Sequence, residues 1–161
     1  MNPNAQHFIK TMRHPVRSRL FMLLKLPAAY FSGVRIQQLT HDRAVVTVPY
    51  KWFSQNPFRS TYFACLAMAA EMSTGLLALM QLYRRKPAVS MLVVKLEAHY
   101  FKKATGLTRF VCEAGADFER IVGECIRTGE PFTYVATAVG RNEAEEVVAE
   151  FFITWSFKAK F

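Results

Sequence analysis

Apolar residues recur along this chain with two distinct periods. Over residues 15–30, Leu20, Leu23 and Leu24 fall on one helical stripe, Pro15 suits a first turn and Pro27 marks the end. Residues 34–40 and 43–49 then alternate as strands. Val46 and Val48 flank polar Thr47, and Thr40-His41-Asp42-Arg43 supplies the turn between the two. Residues 50–60 carry Asn56-Pro57 and read as a loop, with Ser60 or Thr61 placed to cap a helix. From there to about Leu82 apolar side chains lie on nearly every face, which predicts a helix covered on all sides.

The remainder is rich in strands. Residues 89–103 set Val94, Leu96, Ala98 and Tyr100 against Lys95, Glu97 and His99, and residues 106–113 come after the Thr105-Gly106 turn. A helix from about Asp117 to Arg127 gathers Phe118, Ile121, Val122, Cys125 and Ile126 on one face and stops at Gly129. Residues 131–140 alternate again, and 146–158 place Phe151, Ile153, Trp155 and Phe157 on one side. Half-apolar strands need a partner for one face, and an all-round apolar helix needs a wrapper. An α+β domain whose antiparallel sheet curls around the long helix satisfies both. Residues 1–30 then form an N-terminal helical extension and residues 31–161 the domain itself.

The stretch between Arg59 and Arg84 is long enough to cross a bilayer. Glu71 is its only formal charge, however, and a mid-span carboxylate costs about 2.5–3.5 kcal/mol on insertion scales. A buried core helix is therefore expected, with no integral membrane segment.

The 161 residues suit one compact domain, and 14 Phe require large buried apolar areas in a core, an interface or a ligand tunnel. A formal net charge of +9 is compatible with an anionic partner or with a basic solvated surface. No block of like charges marks a nucleic-acid tail, so no nucleic-acid partner is expected. Cys65, Cys112 and Cys125 lack the number and spacing of a disulfide framework or zinc site. With no signal-peptide pattern before Leu26, a reducing, cytoplasmic location is expected.

Gly33-Val34-Arg35-Ile36, Val46-Thr47-Val48-Pro49, the run from Asn56 to Ala64, Glu71 and Gly75 carry a resemblance. Over about residues 30–157 the chain resembles a thioesterase-like hotdog family, a domain of unknown function related to phenylacetate-type acyl-CoA thioesterases. The resemblance implies the hotdog fold, in which a curved antiparallel sheet wraps a long central helix. It also implies a homodimer or tetramer whose sites draw on two subunits. Those thioesterases carry an Asn before a His-Gly-Gly at the helix start and a carboxylate further along the helix. Here Asn56 takes the Asn position, Tyr62, Phe63 and Ala64 take the His-Gly-Gly positions, and Glu71 lies 15 residues after Asn56. Arg59 stands where a small residue is usual.

The implied catalytic set is Glu71 as nucleophile or base, the Phe63 N–H as oxyanion donor and Asn56 as orienting group. Ser60, Thr61, Arg59, Tyr62, Ala64 and Thr74 are candidates to line the substrate. Arg84, Arg85 and Lys86, or Lys102 and Lys103, are candidates for the phosphates of coenzyme A, or else solvated charge. Coenzyme A would enter as part of the substrate, with no separate cofactor and no metal. Each residue also has a plainer role. Glu71 can be a buried carboxylate paired with Arg59, Arg35 or a group across a dimer, and Asn56 can be a turn former. The expected function is hydrolysis of acyl-CoA or acyl-carrier thioesters, against a non-catalytic acyl- or lipid-binding protein. A hydroxyacyl dehydratase would need a His brought to Glu71, with His41 or His99 to supply it.

Overall fold

The computed structural model describes residues 2–161. Three helices open the chain: α1 (Ala5–Arg13), α2 (Pro15–Lys25) and α3 (Pro27–Phe31). Strands β1 (Arg35–Leu39) and β2 (Ala44–Val48) come next, then the long helix α4 (Phe63–Leu82). After it run β3 (Ala88–Tyr100), β4 (Thr108–Cys112), α5 (Gly115–Thr128), β5 (Phe132–Arg141) and β6 (Val147–Lys160). The strands form one antiparallel sheet in the order β1-β2-β4-β5-β6-β3, curved around α4. This is the hotdog arrangement, and the α+β expectation holds.

Strand alternation builds the inner face. Val46 pairs with Phe110, Phe110 with Gly140, Ala138 with Phe151 and Ala136 with Ile153, all fully buried or nearly so. Gly140 is required beside Phe110, because a Cβ there would stand 2.5 Å from the Phe110 ring. Against this face α4 buries Leu66, Ala69, Ala70, Leu77 and Met80, and α5 adds Phe118, Val122 and Cys125. Although α4 has the length and mean hydropathy to cross a bilayer, sheet and helices cover most of it.

Two expectations are corrected in detail. The single helix read over 15–30 is two, because Pro27 starts α3 as well as stopping α2; α1 precedes them both. The Leu20-Leu23-Leu24 stripe faces solvent, and the buried side of α2 is Ser18 and Met22. Along β3 the register shifts between Val93 and Lys95, so Val94 is an extra residue in a bulge and lies exposed instead of inward. Beyond the bulge, Leu96 and Ala98 pair opposite Ile153 and Phe151, on the inner face. The N-terminal helices share the main core through Phe8, Ile9 and Met12.

Strand β3 ends the sheet. Its second edge is unpaired, with Leu92 66%, Val94 51% and Leu96 45% exposed.

Phe110 is fully buried against Phe151, with ring centroids 5.5 Å apart. Phe110→Ala should lower unfolding free energy by about 3–5 kcal/mol, measured by urea denaturation. A loss under about 1 kcal/mol would contradict this packing.

Candidate functional site

The loop before α4 is folded by Asn56. Its Oδ1 accepts from the Phe58 and Ser60 amides at 3.0 and 3.2 Å, and its Nδ2 donates to Ser60 Oγ at 3.1 Å. Arg59 takes φ 59°, the left-handed turn conformation, and its side chain is exposed. Two straps then fix the approach to the helix: the Thr61 amide donates to Ala104 O at 2.7 Å and the Tyr62 amide to Ser54 O at 2.7 Å. Helix α4 begins at Phe63 with no side-chain cap. The N–H groups of Phe63 and Ala64 make no hydrogen bond among the described residues, as the first turn of a helix dictates.

These unengaged donors stand beside an open groove of about 540 Å³. Asn56, Ser60, Thr61, Tyr62 and Phe63 line one side, and Tyr100, Phe101, Lys102 and Lys103 the other. Lys103 Nζ bonds Phe58 O at 3.2 Å, and Lys102 pairs with Glu146. The groove thus joins aromatic walls, ammonium groups and the positive end of the α4 dipole.

Glu71 is elsewhere. Eight residues along α4 correspond to a rise of about 12 Å, and Glu71 faces a second cavity of about 210 Å³. Phe21, Lys25 and Leu26 roof it, Met72, Leu76 and Leu79 of α4 form one wall, and Ile36, Met91 and Trp155 complete it. Burial among these groups raises the Glu71 carboxyl above its ordinary value of 4.5. No cation pairs with it among the described residues. The pairings read as alternatives are not made within the chain: Arg35 Nη1 bonds Tyr30 O and Val34 O, with its guanidinium over the Tyr30 ring, and Arg59 points to solvent.

Gly75 keeps the Glu71 cavity open, since a Cβ there would meet Trp155 at 3.3 Å and Glu71 Oε1 at 3.4 Å. Thr74 is fully buried, and its hydroxyl accepts from Trp155 Nε1 at 2.9 Å while donating to Glu71 O at 3.0 Å. It holds the Trp155 wall instead of facing a ligand. Ala64 lines neither cavity. Arg84, Arg85 and Lys86 lie past the far end of α4, roughly 30 Å from Phe63, and line neither cavity; Arg84 lies over the Tyr83 ring. Neither His41, beside Asp42 and Glu119, nor His99, on exposed β3, reaches Glu71. Trp155 lies on the predicted inner face of its strand, whereas nothing in the local pattern shows that α2 returns over Glu71.

The family described as a domain of unknown function, DUF4442, matches residues 17–157. No curated protein matches the chain in sequence. Among solved structures, a Pseudomonas aeruginosa protein of unknown function described as a probable thioesterase is similar at 19% identity. The match covers 93% of this chain and 99% of that one with a TM-score of 0.77. A Chlorobaculum tepidum protein of unknown function matches at 18% identity over 91% and 97% of the two chains, TM-score 0.76. A Haemophilus influenzae thioesterase matches at 14% identity over 87% and 88%, TM-score 0.63.

Because the Glu71 carboxyl is raised in the fold, its contribution is present below the ordinary value and is lost as pH rises through the folded value. Glu71→Gln, which cannot ionise, should therefore be more stable than wild type at pH about 8, with the gain gone below pH 4.5. Urea denaturation across this range reads the difference. Parallel pH profiles for the two proteins would contradict a desolvated Glu71.

Proposed function

This chain belongs to the DUF4442 family, and we propose that it hydrolyses acyl thioesters, of coenzyme A or a carrier protein, at a site shared by two copies. The observation that carries the reading is Glu71: a half-buried carboxylate with no ion pair among the described residues, set in a mostly apolar cavity on the helix whose first amides are open. The thioesterase descriptions of the Pseudomonas and Haemophilus structures support the same chemistry.

In this reading the thioester oxygen lies against the N–H of Phe63, with Ala64 N–H as second donor, where charge developing on oxygen is stabilised. Glu71 acts as base toward water or as nucleophile at the carbonyl carbon. Along the base route water adds, the C–S bond breaks, and the proton taken by Glu71 passes to the departing thiolate. A raised carboxyl pKa suits that exchange near neutral pH. The acyl chain occupies the apolar cavity, and Lys102 and Lys103 meet the phosphates of coenzyme A.

One chain cannot join the two halves, because about 12 Å of helix and different faces separate them. A homodimer formed along the open edge of β3 would bring Glu71 of one copy toward Phe63 of the other. Three buried, unpaired cysteines suit a reducing, cytoplasmic setting.

Two substitutions test the roles separately, read by thiol release from an acyl-CoA panel. Glu71→Gln should reduce kcat at least about a hundredfold. Phe63→Pro, set against a Phe63→Ala control that loses the groove-lining ring and keeps the N–H, removes the amide donor: position 63 opens the helix, where proline is tolerated, and Tyr62 already lies at φ −60°, ψ 133°, as a residue before proline requires. Its kcat should fall about 10²–10³-fold with the fold intact. An acyl ligand retained with no turnover in wild type would favour the binding-protein reading. Full hydrolysis by Glu71→Gln would remove the assigned role.

A further inference from the structure

Helix α2 is apolar on two sides. Ser18 and Met22 turn into the protein and Phe21 lines the Glu71 cavity, while Val16, Leu20, Leu23 and Leu24 form a second stripe facing outward. On that outer stripe Val16 and Leu24 are each 67% exposed and Leu20 is 53% exposed. Such a face is unusual for a short surface helix, whose outer side is ordinarily polar. On α3, which packs on α2, Phe31 is also exposed, at 54%; it packs on Phe53, and Phe53 in turn contacts Trp52, the most exposed of the group at 79%.

The formal charges of the segment that carries α2 and α3 have one sign. The first 41 residues hold Lys10, Arg13, Arg17, Arg19, Lys25 and Arg35, and no Asp or Glu precedes Asp42. On the helical projection Arg17 and Arg19 flank the outer stripe on opposite sides, and both are exposed. Neither they, Arg13 nor Lys25 forms an ion pair among the described residues.

We propose that the face formed by the outer stripe of α2, Phe31, Phe53 and Trp52 docks on an anionic lipid bilayer surface. Leucine, phenylalanine and tryptophan side chains enter the headgroup boundary, and the flanking arginines meet lipid phosphates and acidic headgroups. A second copy of this chain fits less well. A two-fold contact sets a patch against itself, which here would place arginine against arginine with no acid on α2 to offset them. The docked helix also roofs the Glu71 cavity through Phe21, Lys25 and Leu26. On the hydrolase reading, and resting on it, long-chain acyl groups would reach that cavity from the membrane side.

The full chain, co-sedimented with vesicles of phosphatidylcholine and phosphatidylglycerol or of phosphatidylcholine alone, tests docking without any turnover, so its failure is separable from failure of the hydrolase reading. Binding should require phosphatidylglycerol and weaken steeply with added salt. Leu20→Glu/Leu24→Glu and Arg17→Glu/Arg19→Glu should each lose at least about tenfold in vesicle affinity, with circular dichroism and Tm unchanged because all four side chains are exposed. The proposal is overturned by equal partitioning onto both vesicle types or by wild-type binding of either double variant. Light scattering that shows Leu20→Glu/Leu24→Glu dissociating an oligomer would also overturn it, by assigning the face to a second copy.

Discussion

Helix α4 is apolar around nearly its whole circumference, so it can exist in water only if covered on every side. That requirement organises the molecule. All six strands reach around it with their inward residues, α5 closes another side, and α1 and α3 pack where the sheet does not reach. The strands in turn are half-apolar and need the helix. Neither layer is a stable object alone, which is why one core runs from Phe8 to Phe157.

The same constraint makes Glu71 informative. A carboxylate on such a helix is costly unless it is paired, neutralised or used. Here it forms no ion pair among the described residues, its carboxyl is raised by burial, and Gly75 leaves room beside it. Around it the structure invests in rigidity: Thr74 is fixed between Trp155 and the Glu71 carbonyl. At the start of the helix Asn56, Thr61 and Tyr62 fix the loop so firmly that the first turn's amides are presented to a groove.

Periodicity makes most of this legible. The long helix, α5 and the six strands arise from apolar spacing, and prolines and glycines mark their ends. Features set by non-local pairing are not legible. The bulge at Val94 arises from register against β6, and local alternation carries no trace of it. The leucine stripe of α2 looks like a core stripe from spacing alone, yet a helix packed through Ser18 and Met22 leaves it outside. Within the site, Asn56 and Phe63 are neighbours at the helix start, as their spacing implies. Glu71 is grouped with them by the family resemblance, 15 residues after Asn56, but helical rise and rotation carry it to another cavity. Sequence distance along a helix is not distance between side chains.

Glu71 and the amide at Phe63, the two halves of one reaction centre, are assigned to different copies of the chain. Mixing the two inactive proteins Glu71→Gln and Phe63→Pro, after dissociation and reassociation, measures this directly. Half of the dimers formed at random are mixed, and each mixed dimer holds one site with both groups intact. Acyl-CoA hydrolysis should return to roughly a quarter of the wild-type rate. A mixture that stays as inactive as its components, while light scattering and a tagged subunit show that mixed dimers have formed, would contradict the shared site.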